Sequence, residues 1–461
     1  LLTLPQLPAA AEARACLHVV EIRKAYLTTE ECQGLAQRAL SLFQTQAVAD
    51  GEMDAWFVLG DVEWTSGQLA DAEQAYQQAK RILHDQLLAT QTDAPRWLRD
   101  LAVAHNKLGD VRMKQGQLDA AAQAFSEGMA ICTRLVALDP ANTGRLRDLV
   151  VAHSKLGDVR MAQGQLDAAA QAFSEDLTIS TRLVALDPAN TGWLHDLAVA
   201  HGKLGDVRMA QGQLDAAAQA FTEYHAILAR LVALDPANTT WLRELAVTHG
   251  KLGDVSMARG QLDATAQAFT EVHVILARLA ALDSANTGWL RDLAVAHSKL
   301  GDVRMARGQL DVAAQAFSED LAISTRLAAL DPANIGWLRD LAAAYSKLGD
   351  VRMAQGQLDA AAQAFSESMA IFTRLVALDP ANSSWQYDLA ITLAKLGRCN
   401  VYTGKPKAGV LLLRKAESQL SQLVRQSPDH AQWRKNLQSV RQVLRQFSSS
   451  PGKPKSKPKR R

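Results

Sequence analysis

The sequence repeats itself every 48 residues through most of its length. The tripeptide Lys-Leu-Gly recurs at that interval, and it begins at Lys107, Lys155, Lys203, Lys251, Lys299, Lys347 and Lys395. Periods of this length are typical of arrays in which one supersecondary unit stacks on the next. The chain is therefore predicted to be a linear array of similar units.

Each unit divides into two helical segments. The first has an apolar stripe with steps of four and three residues, for example Trp193, Leu197, Ala200, Leu204 and Val207. Such steps trace one face of an α-helix, and Gly212 is placed to end it. The second segment has two apolar stripes, so it is predicted to contact two neighbours. Proline disfavours helical geometry in the residue before it, so Asp235-Pro236 is expected to stop the second helix.

The unit resembles the tetratricopeptide repeat, whose pattern spans about 34 residues. Leu204-Gly205, Ala217 and Phe221 match the leucine, glycine, alanine and aromatic of that pattern. His201 and Tyr224 depart from it, and Pro236 comes seven residues late. The resemblance implies an all-α fold, a right-handed superhelical solenoid of antiparallel helix pairs. The extra length predicts that both helices are extended to roughly 20 residues, or about 30 Å.

The rest of the chain is arranged around the long units. Residues 1–50 are predicted to form two helices (9–25 and 29–47), either a degenerate repeat or the end of an upstream domain. Residues 51–96 fit one ordinary short repeat, 97–432 form seven 48-residue repeats, and 433–447 form a capping helix. Residues 448–461 are rich in Lys and Pro with no large apolar side chain, which predicts a disordered basic tail.

Composition gives expectations about membrane association, cellular compartment and charge. No apolar run approaches the roughly 20 residues that span a bilayer, so no membrane association is expected. Four cysteines without a CxxC pair favour a reducing, cytoplasmic compartment: Cys16, Cys32, Cys132 and Cys399. The net charge is +2, and six positive charges lie in the tail, so the remainder is slightly acidic.

A row of histidines recurs through the repeats: His105, His153, His201, His249 and His297, continued by Tyr345. Equivalent atoms in neighbouring repeats are separated by more than the 8–10 Å of one helix pair. Ligands of one metal ion must each lie about 2 Å from it. The row therefore predicts a packing position, and no metal site or cofactor is expected.

The resemblance to tetratricopeptide repeats also implies a binding surface. In that family certain positions of the first helix line a concave groove, and in two units here they include Val103 and Val295. The predicted partner-binding residues on these helices are Asn106, Asp110, Met113, Ser154, Asp158, Asp206, Asp254, Ser298, Asp302, Ser346 and Asp350. One turn before them lies a row of Arg99, Arg147, Arg243, Arg291 and Arg339. These rows predict a basic edge, a small polar centre and an acidic stripe.

A simpler interpretation of the Asp row stays open. Lys107 and Asp110 are three residues apart on one helix, so the Asp could pair with that Lys on a wet surface. Near-identical copies would preserve such a row by duplication alone. The Lys-and-Asn clamp with which some family members hold a peptide carboxylate is not expected, because Asp stands where that Asn would be.

The sequence offers no nucleophile–base pair, phosphate-binding loop or metal-spaced cluster, so the chain is predicted not to be an enzyme. The main hypothesis is a scaffold that binds a peptide or partner protein in the groove, and the partner could be repetitive or multivalent. Long arrays with this WLRDLAVAHNKLGDV-type repeat also resemble those of bacterial multidomain signalling proteins, so a sensor array of a larger NTPase or effector is the first alternative. A nucleic-acid-associated scaffold acting through the basic tail is the second.

Overall fold

The computed structural model describes residues 8–23, 25–90 and 94–448, which form nineteen α-helices and no strand. The predicted tail lies outside these residues from position 449 on. The chain divides into two compact units between Leu234 and Asp235. The predicted all-α fold is confirmed.

The first unit contains ten helices. They are α1 (Ala9–Arg23), α2 (Thr29–Thr45), α3 (Ala49–Ser66), α4 (Leu69–Thr90), α5 (Pro95–Lys114), α6 (Leu118–Leu138), α7 (Thr143–Ala162), α8 (Leu166–Leu186), α9 (Thr191–Ala210) and α10 (Leu214–Leu234).

The second unit contains nine helices. They are α11 (Thr239–Ala258), α12 (Leu262–Leu282), α13 (Thr287–Ala306), α14 (Leu310–Leu330), α15 (Ile335–Ala354), α16 (Leu358–Leu378), α17 (Ser383–Tyr402), α18 (Pro406–Gln426) and α19 (Ala431–Ser448).

Local signals set the helix ends in every long repeat. An Asn caps each first helix from α7 on; in α9, Asn190 Oδ1 accepts from the backbone N–H of Trp193 at 3.1 Å. The first helix ends before a glycine with positive φ, such as Gly212 at 73°. The second helix ends at an Asp-Pro turn in five of the seven long repeats, at Asp283-Ser284 in α12 and at Ser427-Pro428 in α18. First and second helices are 20 and 21 residues long, in agreement with the predicted extension.

Short connections make consecutive helices antiparallel, and within each unit each helix packs on the next. A glycine in the first helix faces a fully buried phenylalanine of the second. A Cβ added at Gly109 would lie 2.3 Å from the Phe125 ring, so only glycine allows this approach. The same contact recurs at Gly157, Gly205, Gly301 and Gly349.

The last helix covers the end of the second unit. Trp433, Leu437, Val440 and Leu444 of α19 join a buried cluster with Leu420 of α18. Its polar residues face away from this cluster, as a terminal helix requires. Within the described residues, no helix has the length and apolar character needed to cross a membrane.

Candidate functional site

The first helices of successive repeats present one continuous pattern within each unit, which we call the first-helix face. In α5 it consists of Arg99, Val103, Lys107 and Asp110, which lie four, four and three residues apart. That spacing places them on one side of the helix. The same positions recur in α7, α9, α11, α13 and α15, with His195 for Arg in α9 and Ala343 for Val in α15.

An Arg–Asp ladder runs along one border of this face. Each Arg of the predicted row pairs with an Asp on the first helix of the next repeat, 49 residues ahead. The N–O distances are 2.7 Å for Arg99–Asp148, 2.7 Å for Arg147–Asp196, 2.5 Å for Arg243–Asp292, 2.6 Å for Arg291–Asp340 and 3.2 Å for Arg339–Asp388. The expected basic edge is therefore wrong, because each of these charges is matched by a carboxylate.

A Lys–Asp ladder runs along the other border. Five Asp residues of the predicted row each pair with the Lys of the following repeat. The distances are 2.6 Å for Lys155–Asp110, 2.6 Å for Lys203–Asp158, 2.8 Å for Lys299–Asp254, 2.6 Å for Lys347–Asp302 and 2.6 Å for Lys395–Asp350. Asp206 holds the equivalent position in α9. The acidic stripe is thus not free, and the alternative pairing of Asp110 with Lys107 of its own helix is also wrong.

The phenylalanines of the second helices help to place these lysines. Lys155 Nζ lies 5.7 Å from the centroid of the Phe125 ring, and Lys203 Nζ lies at the same distance from Phe173. Such a cation–ring contact adds to the ion pair and restrains the Lys stem. The ladder therefore joins neighbouring repeats through both charge and ring contacts.

In each unit, exposed valines lie between the two ladders, and we call them the valine row of that unit. Val103, Val151, Val247 and Val295 are between 39% and 50% exposed, although each sits on a helix otherwise well packed. Each is one helical turn from the Arg of one ladder and one turn from the Lys of the other. The surface of the first-helix face is therefore an apolar strip with charge-neutral borders, in place of the predicted small polar centre.

The residues predicted for that polar centre instead turn towards the second helix. Asn106 lies opposite Gly128, where a Cβ would come within 3.0 Å of Asn106 Oδ1. Ser154 and Ser298 face Asp176 and Asp320 and donate hydrogen bonds to them. Ser346 differs, since it accepts a hydrogen bond at 2.9 Å from Lys395 Nζ of α17, the first helix of the next repeat.

The pair of facing residues at this point of the first and second helices varies from copy to copy, whereas the residues around the pair repeat. Where the first helix has glycine, the second has a larger residue, as in Gly202 with Tyr224 and Gly250 with Val272. The two positions complement each other in size or in hydrogen bonding. The signal was present in the sequence, since the two positions change together between otherwise similar copies.

Met113 does not belong to the exposed surface. It packs against a buried cluster that includes Ala121, Ala122 and Phe125. It serves the contact between the two helices of its repeat.

Two carboxyl groups are buried at this helix contact. Asp176 is 2% exposed and Asp320 is 6% exposed. Burial raises the pKa of Asp176 to about 7 and the pKa of Asp320 to about 6, against the hydrogen bonds from serine and the nearby lysine that lower it. Sequence reasoning missed both as site residues.

The histidine row is also largely buried. Burial lowers the pKa of His105 to about 4, and it lowers the pKa values of His153, His201 and His297. These imidazoles are neutral at physiological pH and fill space between helices. No group of three or more His, Cys, Asp or Glu side chains in the described part of the chain is arranged to hold a metal ion.

Comparison with known proteins finds a family model that matches part of the chain. A sequence model of the family "Tetratricopeptide repeat" matches residues 33–85, which include α3 and most of α2 and α4. No curated protein sequence matches the chain.

Many solved structures are similar to it, and two of them are described here. One is BtubC (BKLC) from P. vanneervenii, with 16% identity, a TM-score of 0.44, and 64% of this chain and 98% of that chain covered. The other is a Signal Transduction ATPase with Numerous Domains with a tetratricopeptide repeat sensor from Pyrococcus horikoshii. It has 11% identity, a TM-score of 0.52 and 91% of this chain covered, and this chain spans 56% of its length. The second shares the fold.

Proposed function

We propose, on the premise that this chain is built from tetratricopeptide repeats, that its first-helix face binds an extended segment of a partner protein. The observation that carries this proposal is the exposed valine row between two ladders of ion pairs. Exposed apolar side chains aligned in one strip are characteristic of interaction surfaces. The chain would therefore act as a non-catalytic scaffold.

The physical basis is a rigid apolar strip that is already formed before binding. Burial of apolar surface contributes about 25 cal/mol per Å². The valines lie on long helices that are held together by ion pairs between repeats. This protein therefore loses little conformational entropy when the segment binds. The paired side chains of the ladders carry no net charge. Their Arg, Lys and Asp groups can form hydrogen bonds with the backbone of a bound segment along both borders.

Selection of peptides against the immobilised chain tests this proposal. A phage-displayed random peptide library should yield binders with apolar side chains spaced along an extended chain. Replacing Val151→Gln and Val295→Gln together should reduce their binding by more than about tenfold, which corresponds to about 1.4 kcal/mol.

The matched control replaces two leucines elsewhere. Leu186 and Leu330 end α8 and α14 and are at least as exposed as the valines. The Leu186→Gln and Leu330→Gln variant should bind the selected peptides like the parent chain. Equal binding by the valine variant would move the site away from the first-helix face.

A second candidate function is a sensor array of a larger signalling protein. The observation that favours it is the similarity to the repeat-bearing ATPase, which extends over 91% of this chain. The intact mass of the native protein from its source tests it. A mass near the 50.0 kDa of this chain would contradict this candidate.

A further inference from the structure

A buried carboxylate occupies the same place in two of the long repeats. Asp176 in α8 and Asp320 in α14 are three repeats apart. The other copies have Gly128, Tyr224, Val272, Ser368 and Ala416 at this position. Helix packing alone therefore does not require an acid here.

The hydrogen bonds to these carboxylates come from neutral groups. Ser324 Oγ donates to Asp320 Oδ1 at 3.1 Å, and Ser180 Oγ donates to Asp176 Oδ1 at 3.0 Å. Ser298 and Ser154 donate from the facing first helices. These bonds orient the carboxylates but supply no balancing charge.

The cations around Asp320 are already paired. Arg291 pairs with Asp340, Lys347 with Asp302, and Lys299 with Asp254. Among the described residues, none forms an ion pair with Asp320. When ionised, Asp320 therefore leaves one unit of negative charge uncompensated at this point of the first-helix face.

The same balance holds around Asp176. The nearby cations are again used within the ladders, by Arg147–Asp196, Lys155–Asp110 and Lys203–Asp158. Lys203 Nζ also donates to Ser154 Oγ at 2.8 Å. Two copies of one arrangement thus carry the same unmatched charge.

A cavity connects Asp320 with the valine row. Its volume is about 130 Å³, and its lining includes Val295, Ser298, Asp320, Ser324 and Leu327. That volume holds several water molecules, and so also the head group of a basic side chain. The other charged residues of its lining are Arg291, Lys299, Asp340 and Lys347, which belong to the ladders.

We propose that Asp176 in the first unit and Asp320 in the second are anionic subsites, and that each receives a Lys or Arg side chain of a segment bound on the valines of its own unit. This proposal rests on the proposed function of the first-helix face. A Lys or Arg head group that approaches the buried carboxylate loses its hydration, and it gains a charge-assisted hydrogen bond to the carboxylate in return. The partner is then a segment in which apolar side chains flank a basic one.

The subsites should respond to pH because burial raises the pKa of both carboxyl groups. The charged groups that border the Asp320 cavity are Arg291 and Lys299 from α13 and Asp340 and Lys347 from α15. Protonation of Asp320 removes its charge and with it the preference for a cation. The preference should therefore be strong at pH 8 and weak at pH 5.

The test uses short acetylated and amidated peptides of alternating serine and valine with one central Lys, Gln or Glu. Their binding to the full chain is measured by fluorescence polarisation. At pH 8 the Lys peptide should bind about tenfold more tightly than the Gln peptide, or about 1.4 kcal/mol. In an Asp176→Asn and Asp320→Asn variant the Lys and Gln peptides should bind equally, at the affinity of the parent for the Gln peptide.

Asp359→Asn provides the control, since it removes the same charge from an exposed position at the start of α16, and it should keep the Lys preference. Equal binding of the Lys and Gln peptides by the parent chain would overturn the subsites and leave the proposed function standing. Failure of all three peptides to bind would overturn both. A preference that persists unchanged at pH 5 would also contradict a role for these carboxyl groups.

Discussion

At the scale of the residue, Asp176 stands out because it is a carboxyl group buried without an ion-pair partner. Its pKa rises from 3.8 to about 7, so the folded chain retains a proton that the unfolded chain has lost. Stability is therefore highest below pH 3.8 with respect to this group and falls as the pH rises towards 7. We predict that Asp176→Asn raises the free energy of unfolding by about 1 to 4 kcal/mol at pH 8, since each pKa unit is worth about 1.4 kcal/mol.

Urea denaturation followed by circular dichroism at pH 8 and pH 4 measures this effect, and the gain should nearly vanish at pH 4. Asp158→Asn is the matched control, because Asp158 is half-exposed and paired with Lys203. It should lower the free energy of unfolding at pH 8 by less than about 1 kcal/mol. A loss of stability in Asp176→Asn at pH 8 would show that its charge is compensated in the folded chain.

At the scale of the element, the helix pair depends on one glycine for its closest contact. A Cβ at Gly301 would lie 2.4 Å from the Phe317 ring, a distance that real contacts do not reach. We predict that Gly301→Ala lowers the free energy of unfolding by about 1 to 3 kcal/mol, as expected of overpacking. Thermal and urea denaturation of the variant provide the measurement.

Gly250→Ala separates this effect from helix propensity. A Cβ at Gly250 would meet only Val272 Cγ2 at 3.9 Å, which is ordinary contact. Alanine is the better helix former in a helix interior, so this variant should gain about 0.5 to 1 kcal/mol. Similar changes in the two variants would mean that the Phe317 contact is not what requires glycine.

At the scale of the whole molecule, each repeat contacts its neighbours through interfaces that are nearly the same. Deleting residues 289–336 would bring Arg243 opposite Asp340 and Lys347 opposite Asp254, which recreates both ladders. Ser298 and Asp320 would both be removed, so neither would remain without the other. We predict that the shortened chain folds with unchanged helicity per residue, since stability in such arrays is close to a sum of repeat and interface contributions.

The contrasting deletion removes residues 289–312, which include all of α13 except its first two residues. It places two second helices in succession and breaks both ladders. This variant should lose helicity per residue and cooperative thermal unfolding. If both deletion variants had the same helicity per residue and the same cooperativity of unfolding, packing of the repeats would not depend on keeping the 48-residue spacing.

The sequence by itself determined the fold to a large extent, because its signals are local. Helix lengths follow from apolar spacing, and helix ends follow from Asn190, Gly212 and the Asp-Pro turn. The 3.6-residue period also placed Val103 and Asp110 on one face of α5. None of these conclusions requires knowledge of a contact between distant residues.

Only the tertiary structure decided which side chains remain available to a partner. Asp110 pairs with Lys155, 45 residues away, in place of Lys107 on its own helix. Arg99 is likewise paired with Asp148. The charged residues of both rows are thus paired within the protein, and the valines between them remain exposed. Burial of Asp176 and Asp320 depends on the facing helix, since a carboxyl group is desolvated only by the residues packed around it.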